Sequence, residues 1–264
     1  MKLSYFDLLS PNPVYIQKGI GIISPKLREI ASIGINTYQY YLSVLLMDLQ
    51  TYFTMIGQKE QFELLTDEEK AQFNIFDLLT INIDSIKLLQ NVLNFFIKED
   101  VVYSMEQKCF LIKKKTPDLS NEEVSEEYTI SGRISKEIYP QVCDIICQRN
   151  YIKSNQQDDI SKVKSKKALE IMKKLQKGRA EKARQSKADK NMELGNIISA
   201  IAAKSQSLNI LNIWDLTVYQ VWDCFWRLSN NSIYNIQSMS VAAWGNKDNH
   251  FDAAAWFKRI DNGN

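Results

Sequence analysis

The stretch Asn212–Asn231, NIWDLTVYQVWDCFWRLSNN, decides how the C-terminal third of the chain folds. Thr217-Val218-Tyr219-Gln220 has the spacing of a capping box, a hydroxyl at the helix start and an amide three residues on. Leu216 and Val221 stand where a hydrophobic staple would clamp that cap. Beyond it Tyr219, Trp222 and Trp226 fall three and four residues apart, so all three share one helix face.

Working outward, Gly245 predicts the end of a short helix that includes Trp244. Asp252 predicts the cap of a last helix, with Phe251 and Trp256 as its staple. Upstream, Ile197, Ile198, Ile201 and Ala202 predict another helix. Residues 195–264 therefore read as a small all-helical domain held together by aromatic side chains. All five tryptophans, Trp214, Trp222, Trp226, Trp244 and Trp256, lie in the last 51 residues. Indoles offer large contact area at low entropic cost, so such a cluster marks a small dense core or a docking surface. Five indoles rarely all bury in so small a unit. Those left open, Trp226 or Trp244 first among them, are the candidate contacts, while Trp222 and Trp256 are expected to help fix helix geometry.

Before this domain the composition changes. Residues 162–190 hold 12 lysines and arginines against Glu170, Glu181 and Asp189, a net charge of +9 in a chain whose total is +2. The rest of the molecule is then −7. Few apolar residues interrupt the charge, so 156–194 reads as an exposed, partly helical basic linker. Lys166, Lys167, Lys173, Lys174, Lys177, Arg179, Lys182 and Arg184 are candidates for an electrostatic tether. Nucleic-acid binding through phosphates is the rival reading of the same residues. Against it, the segment has no aromatic residue on which a base could stack.

Residues 1–155 read as an α+β domain, mostly helical with a small antiparallel element. Val14–Ile23 predicts a short hairpin. Ser24 and Pro25 predict a helix start, with Leu27, Ile30 and Ala31 on its buried face and Gly34 at its end. Tyr38–Ile56 predicts one apolar helix carrying Leu42, Leu45, Leu46 and Leu49. Thr66 and Glu69 form a capping box. Asp84 or Ser85 predicts the cap of a helix that buries Ile86, Leu89, Leu93 and Phe96. Val101–Met105 and Cys109–Lys113 predict paired strands, Ser120 with Glu123 a brief helical turn, and Tyr128–Ile130 a further strand. Ser135–Cys147 returns to helix. The fold class expected is mainly α.

The residues do not converge on chemistry. Gly19-Ile20-Gly21 lacks the third glycine and helix start of a dinucleotide loop, and a hairpin bend accounts for it. His250, the only histidine, sits between Asp248 and Asp252 in a polar turn with no second imidazole to complete a metal site. Cys109, Cys143, Cys147 and Cys224 suit buried free thiols. No acid, base, nucleophile and metal set appears, so the expectation is a non-enzymatic protein without cofactor or metal. No apolar run reaches membrane-spanning length, and MKLSYFDLLSPNP lacks the continuous apolar core of a signal peptide. A cytoplasmic protein with no membrane partner is expected.

Two runs carry a resemblance. NPVYIQKGIGIISPKLREIASIG followed by YQYYLSVLLMD at one end, and NIWDLTVYQVWDCFWRLSNN with AAWFKRI at the other, resemble the tail assembly chaperones of long-tailed bacteriophages and prophages of Gram-positive bacteria. The likeness lies in apolar and aromatic positions rather than in a catalytic signature. It implies a protein that coats the helical tape measure protein in the host cytoplasm until the tail tube forms. It also implies weak repeated contacts, to which self-association would add avidity. Tyr219, Trp222, Trp226, Trp244 and Trp256 are then the expected partner-binding residues. A structural tail or baseplate component and a nucleic-acid-binding accessory protein remain the alternatives.

Overall fold

The computed structural model describes residues 1–17, 19–115, 128–152, 190–246 and 251–260. The chain divides into two compact units, Met1–Ser154 and Asn155–Asn264. It is a mixed α+β protein in which helix predominates. The proposed turn at Ser120–Glu123 and the basic segment 162–189 lie outside the described residues, as does His250.

The first unit opens with α1 (Tyr5–Leu9), capped by Ser4. Strands β1 (Val14–Ile16) and β2 (Ile20–Ile22) form the expected antiparallel hairpin. α2 (Leu27–Ile33) starts from Lys26, whose backbone N–H donates to Glu29 Oε2 at 2.7 Å, and ends at Gly34 with φ +84°. Ser24 is thus not the cap. Its hydroxyl is claimed by Arg149, and a side chain committed elsewhere cannot close a helix end. Ala31 is exposed, because Leu27 and Ile30 alone face inward.

The long helix expected over Tyr38–Ile56 is two helices, α3 (Ile35–Leu45) and α4 (Leu49–Met55). Asp48 breaks it: its carboxylate accepts from Thr51 N–H at 2.7 Å and begins a new helix, as short polar side chains do when they outcompete the helical backbone. Leu46, at the break, is exposed. Three short helices come next, α5 (Lys59–Leu64), α6 (Asp67–Lys70) and α7 (Ile75–Leu79). The Thr66–Glu69 capping box forms as expected. Phe53, Phe62 and Phe73 cluster across them, with Phe53 and Phe62 stacked at 4.5 Å between centroids.

α8 (Ile83–Phe96) is capped by Asn82 rather than Asp84 or Ser85, through Ser85 N–H to Asn82 Oδ1 at 2.8 Å. It buries Ile86, Leu89, Leu93 and Phe96 as expected, with Val92 in addition. β3 (Asp100–Ser104), β4 (Cys109–Lys115) and β5 (Tyr128–Ile134) form an antiparallel sheet in that order, irregular between Ile112 and Lys113. β5 runs four residues beyond expectation, and α9 (Tyr139–Arg149) begins four residues later than Ser135. Phe110, Ile112 and Ile134 of the sheet join Val142, Ile145 and Ile146 of α9 in the core. Cys109, Cys143 and Cys147 are buried free thiols. Burial pushes Cys147 up to about 11 and Cys143 higher still.

Both edges of this sheet are occupied. Asn94 of α8 pairs with the N–H and C=O of Val101, and Gln90 accepts from Tyr103 N–H at 3.0 Å. α8 therefore satisfies the backbone that β3 would otherwise offer to another strand. At β5, Gly19 sits so close that a Cβ there would lie 1.8 Å from the Ser131 carbonyl oxygen. Gly21 donates to Glu99 Oε2 at 2.9 Å. The two glycines serve close approach between the hairpin and its neighbours, which accounts for the half phosphate-loop pattern.

A buried arginine completes the unit. Arg149 has no exposed surface. Its Nε donates to Ser24 Oγ at 2.7 Å, and its two terminal nitrogens donate to the Asn12 and Ser10 carbonyls at 2.9 and 2.8 Å. Burial lowers its pKa to about 10, with Asp7 acting in the opposite sense. Next to it Tyr38 Oη donates to Asn150 Oδ1 at 2.8 Å, and Asn150 Nδ2 donates to the Ile146 carbonyl. The Arg149 bonds and the Tyr38 bond join segments more than 100 residues apart in sequence.

The described residues of the second unit include two α-helices, α10 (Leu194–Lys204) and α11 (Val218–Trp244), with 3-10 turns at Lys190–Met192, Ile213–Asp215 and Ala255–Phe257. Thr217 caps α11 through the expected box. The short helix expected at Trp244 is the end of this one 27-residue helix, closed by Gly245. No proline or glycine interrupts Val218–Trp244, so nothing in its backbone requires a stop.

Candidate protein-binding site

α11 is built in two halves. In its first turns Val218, Tyr219 and Val221 are buried, and α10 packs on them with Ile197, Ile198 and Ile201 also buried. Ile213, in the turn before the cap, is buried too. The cap holds the start in place: Thr217 N–H donates to Gln220 Oε1 at 2.9 Å and Gln220 N–H to Thr217 Oγ1 at 3.4 Å. α10 has 11 residues and α11 has 27. At 1.5 Å per residue the first spans about 16 Å and the second about 40 Å, so α10 cannot cover its partner's length.

The chain after Gly245 returns beside α11 on a different side. Phe251 packs on Tyr234 with centroids 5.6 Å apart, and Arg227 Nη1 donates to the Lys258 carbonyl at 2.9 Å. Asp252 accepts from Ala254 N–H at 2.9 Å and pairs with Lys258. The Lys258 bond, then the Ala254 bond, hold the Asp252 carboxyl below its ordinary range. After Asp252 the chain makes a single 3-10 turn, Ala255–Phe257, rather than a helix. The staple expected between Phe251 and Trp256 does not form. Phe251 is taken by Tyr234, and Trp256 packs instead on Phe257 at 5.1 Å.

The five sequence-proposed aromatic contacts separate by depth. Tyr219 is 2% exposed and belongs to the core. Trp222 and Trp226 are half-buried, linked through Phe225 by edge-on contacts at 6.1 and 5.2 Å. The Trp226 Nε1 is buried without a hydrogen-bond partner. Trp244 and Trp256 are 78% and 52% exposed, with Phe257 open beside Trp256. Trp256 thus stands at the surface instead of bracing a helix. The eight proposed tether residues between Lys166 and Arg184 lie outside the described residues.

Sequence reasoning missed the middle of the surface. Ile233, Ile236 and Met239 of α11 are all more than half exposed. A signal was present: Leu228–Trp244 is 17 residues with no Asp, Glu, Lys, Arg or His. An exposed helix ordinarily carries charge on its solvent face, so an uncharged stretch of this length with apolar residues outward is a candidate contact surface.

The remaining features are structural. An open cleft of about 500 Å³ beside β3 is lined in part by Gln90, Asn94, Glu99, Lys113 and Tyr128. Its amides and Glu99 already bond backbone groups, and Lys113 lies 5.8 Å over the Tyr128 ring. Among the described residues, no group of three His, Cys, Asp or Glu side chains is placed to hold a metal ion. No helix among them is long and apolar enough to cross a membrane.

The second unit is thus a small helical module whose principal helix is half covered and half open. Residues 184–261 match the family described as the YomV second domain. That match spans under a third of the chain and falls on the module just described. No curated protein matches the chain, and no solved structure matches it.

Proposed function

We propose that this is a phage-related, non-enzymatic protein that acts as a tail assembly chaperone for the tape measure protein in the host cytoplasm. The observation that carries the reading is the open aromatic end of the C-terminal module, where Trp244, Trp256 and Phe257 stand at the surface. The match of residues 184–261 to the YomV second domain supports a phage-related origin. The resemblance of both chain ends to tail assembly chaperones supports the finer role.

A tape measure protein is a long helix with apolar stripes, prone to aggregate until enclosed. A chaperone for it needs apolar contacts that bind a helix and release it, and exposed indoles on a rigid frame supply these. The lysines and arginines of 162–190 would add an electrostatic component that weakens with salt.

Co-expression with a helical tape measure fragment tests this. The two should co-purify, and W244A with W256A together should abolish capture while leaving the module folded. Equal solubility of the fragment with and without this protein would remove the reading.

A further inference from the structure

We infer that α11 pairs antiparallel with α11 of a second copy of this chain, through the face left open beyond the reach of α10. This goes beyond the client reading and stands without it. Along α11, Trp226, Ser229, Ile233, Ile236, Ser240 and Ala243 are spaced 3, 4, 3, 4 and 3 residues apart. That is the seam spacing of two helices wound together. On this seam Ile233 is 52% and Ile236 65% exposed, and Ser240 and Ala243 are exposed as well.

The seam is complementary to itself when inverted. About a two-fold axis midway between Ile233 and Ile236, each Ile233 meets the other copy's Ile236. Ser229 then meets Ser240, small against small, and Trp226 meets Ala243, the largest side chain against nearly the smallest. The central isoleucines therefore face one another and the outer positions pair small with small and large with small, the self-complementarity that isologous pairing requires. A parallel pair would instead set Trp226 against Trp226 and leave Ala243 facing Ala243 across a gap.

Charge favours the same occupant. Leu228–Trp244 has no ionisable side chain of the Asp, Glu, Lys, Arg or His type, so two identical faces meet without the like-charge repulsion that ordinarily keeps copies of one helix apart. A foreign partner selected by charge would find nothing there to select it. Tyr219, buried at the start of α11, lies seven residues before Trp226 on the same register, so the seam continues a stripe that is already packed at one end. Trp244 and Trp256 are not seam positions, which leaves them for a client.

Sedimentation velocity on the full chain, over a series reaching about 100 µM, should show the 30.6 kDa species give way to a dimer. I233K and I236E should each hold the chain at monomer mass, with unchanged circular dichroism because both sites are exposed. Mixing the two single variants should restore the dimer, since antiparallel pairing places the introduced ammonium against the introduced carboxylate. A wild-type chain that stays monomeric throughout overturns the inference. So does a dimer that neither substitution weakens, or a mixture that remains monomeric. W244A with W256A should leave sedimentation unchanged, so that loss of client capture and loss of dimer are read separately.

Discussion

α8 and α11 are the two most extended amphipathic helices described in this chain, and they are used in opposite ways. α8 is 14 residues long and is enclosed: its apolar face is buried, and its amides are spent on the edge of β3. α11 is 27 residues long and has buried residues only in its first turns. The difference teaches that apolar spacing alone does not separate a core helix from a recognition helix. What separates them is whether a neighbour is long enough to cover the stripe. In the N-terminal unit the buried polar side chains of Arg149, Asn150 and Tyr38 are tied into hydrogen-bond networks, as burial demands. In the C-terminal unit the second half of α11 carries no charged side chain, and its Ile233–Ile236 face is exposed.

The contrast predicts that substitutions in the first unit cost stability, while those on the open half of α11 cost association. The largest effect is expected at Arg149. Arg149→Ala removes the donor from the part-buried Ser10 and Asn12 carbonyls and from the buried Ser24 hydroxyl and leaves a cavity, and should lower unfolding free energy by about 3 to 5 kcal/mol. Urea denaturation followed by circular dichroism measures it. A loss under about 1 kcal/mol would mean that water reaches these groups after all.

Gly19→Ala comes next. Its Cβ would strike the Ser131 carbonyl, and one of the two backbones must move, at a cost of about 2 to 3 kcal/mol. Amide exchange in the hairpin should quicken. Unchanged protection there would show that the hairpin is not held against β5. Tyr38→Phe removes one buried hydrogen bond and leaves Asn150 Oδ1 without its donor, for about 1 to 2 kcal/mol in the same denaturation assay.

Thr217→Ala tests how α11 is held. Loss of the cap should cost about 1 kcal/mol. Tryptophan fluorescence will report it, because all five tryptophans lie in this unit. The smallest effect on stability is expected from Trp256→Ala, within about 0.5 kcal/mol. A large destabilisation there would make Trp256 a core residue and weaken the contrast between the two units.

Much of the local structure was legible without coordinates. The Thr66 and Thr217 capping boxes, the hairpin at Val14–Ile22, the buried face of α8 and the pairing of β3 with β4 all rest on contacts within a few residues. Short-range hydrogen bonds and side-chain period record themselves in short-range spacing. The errors at Ser24 and Trp256 share one cause. Ser24 has the right residue type for a cap but is taken by Arg149, 125 residues away. Trp256 has the right spacing for a staple, but its partner Phe251 is taken by Tyr234. In each case a distant group won the competition for a side chain, and local spacing carries no record of that.

The candidate site divides along the same line. That the C-terminal unit is aromatic, helical and capped at Thr217 was determined by the sequence, as was the uncharged run Leu228–Trp244. Which aromatics face solvent was decided only by tertiary structure. Burial depends on the length and placement of a neighbouring helix. α10, with 11 residues, is too short to cover the 27 of α11; Tyr219 goes to the core while Ile233, Ile236 and Trp244 remain at the surface.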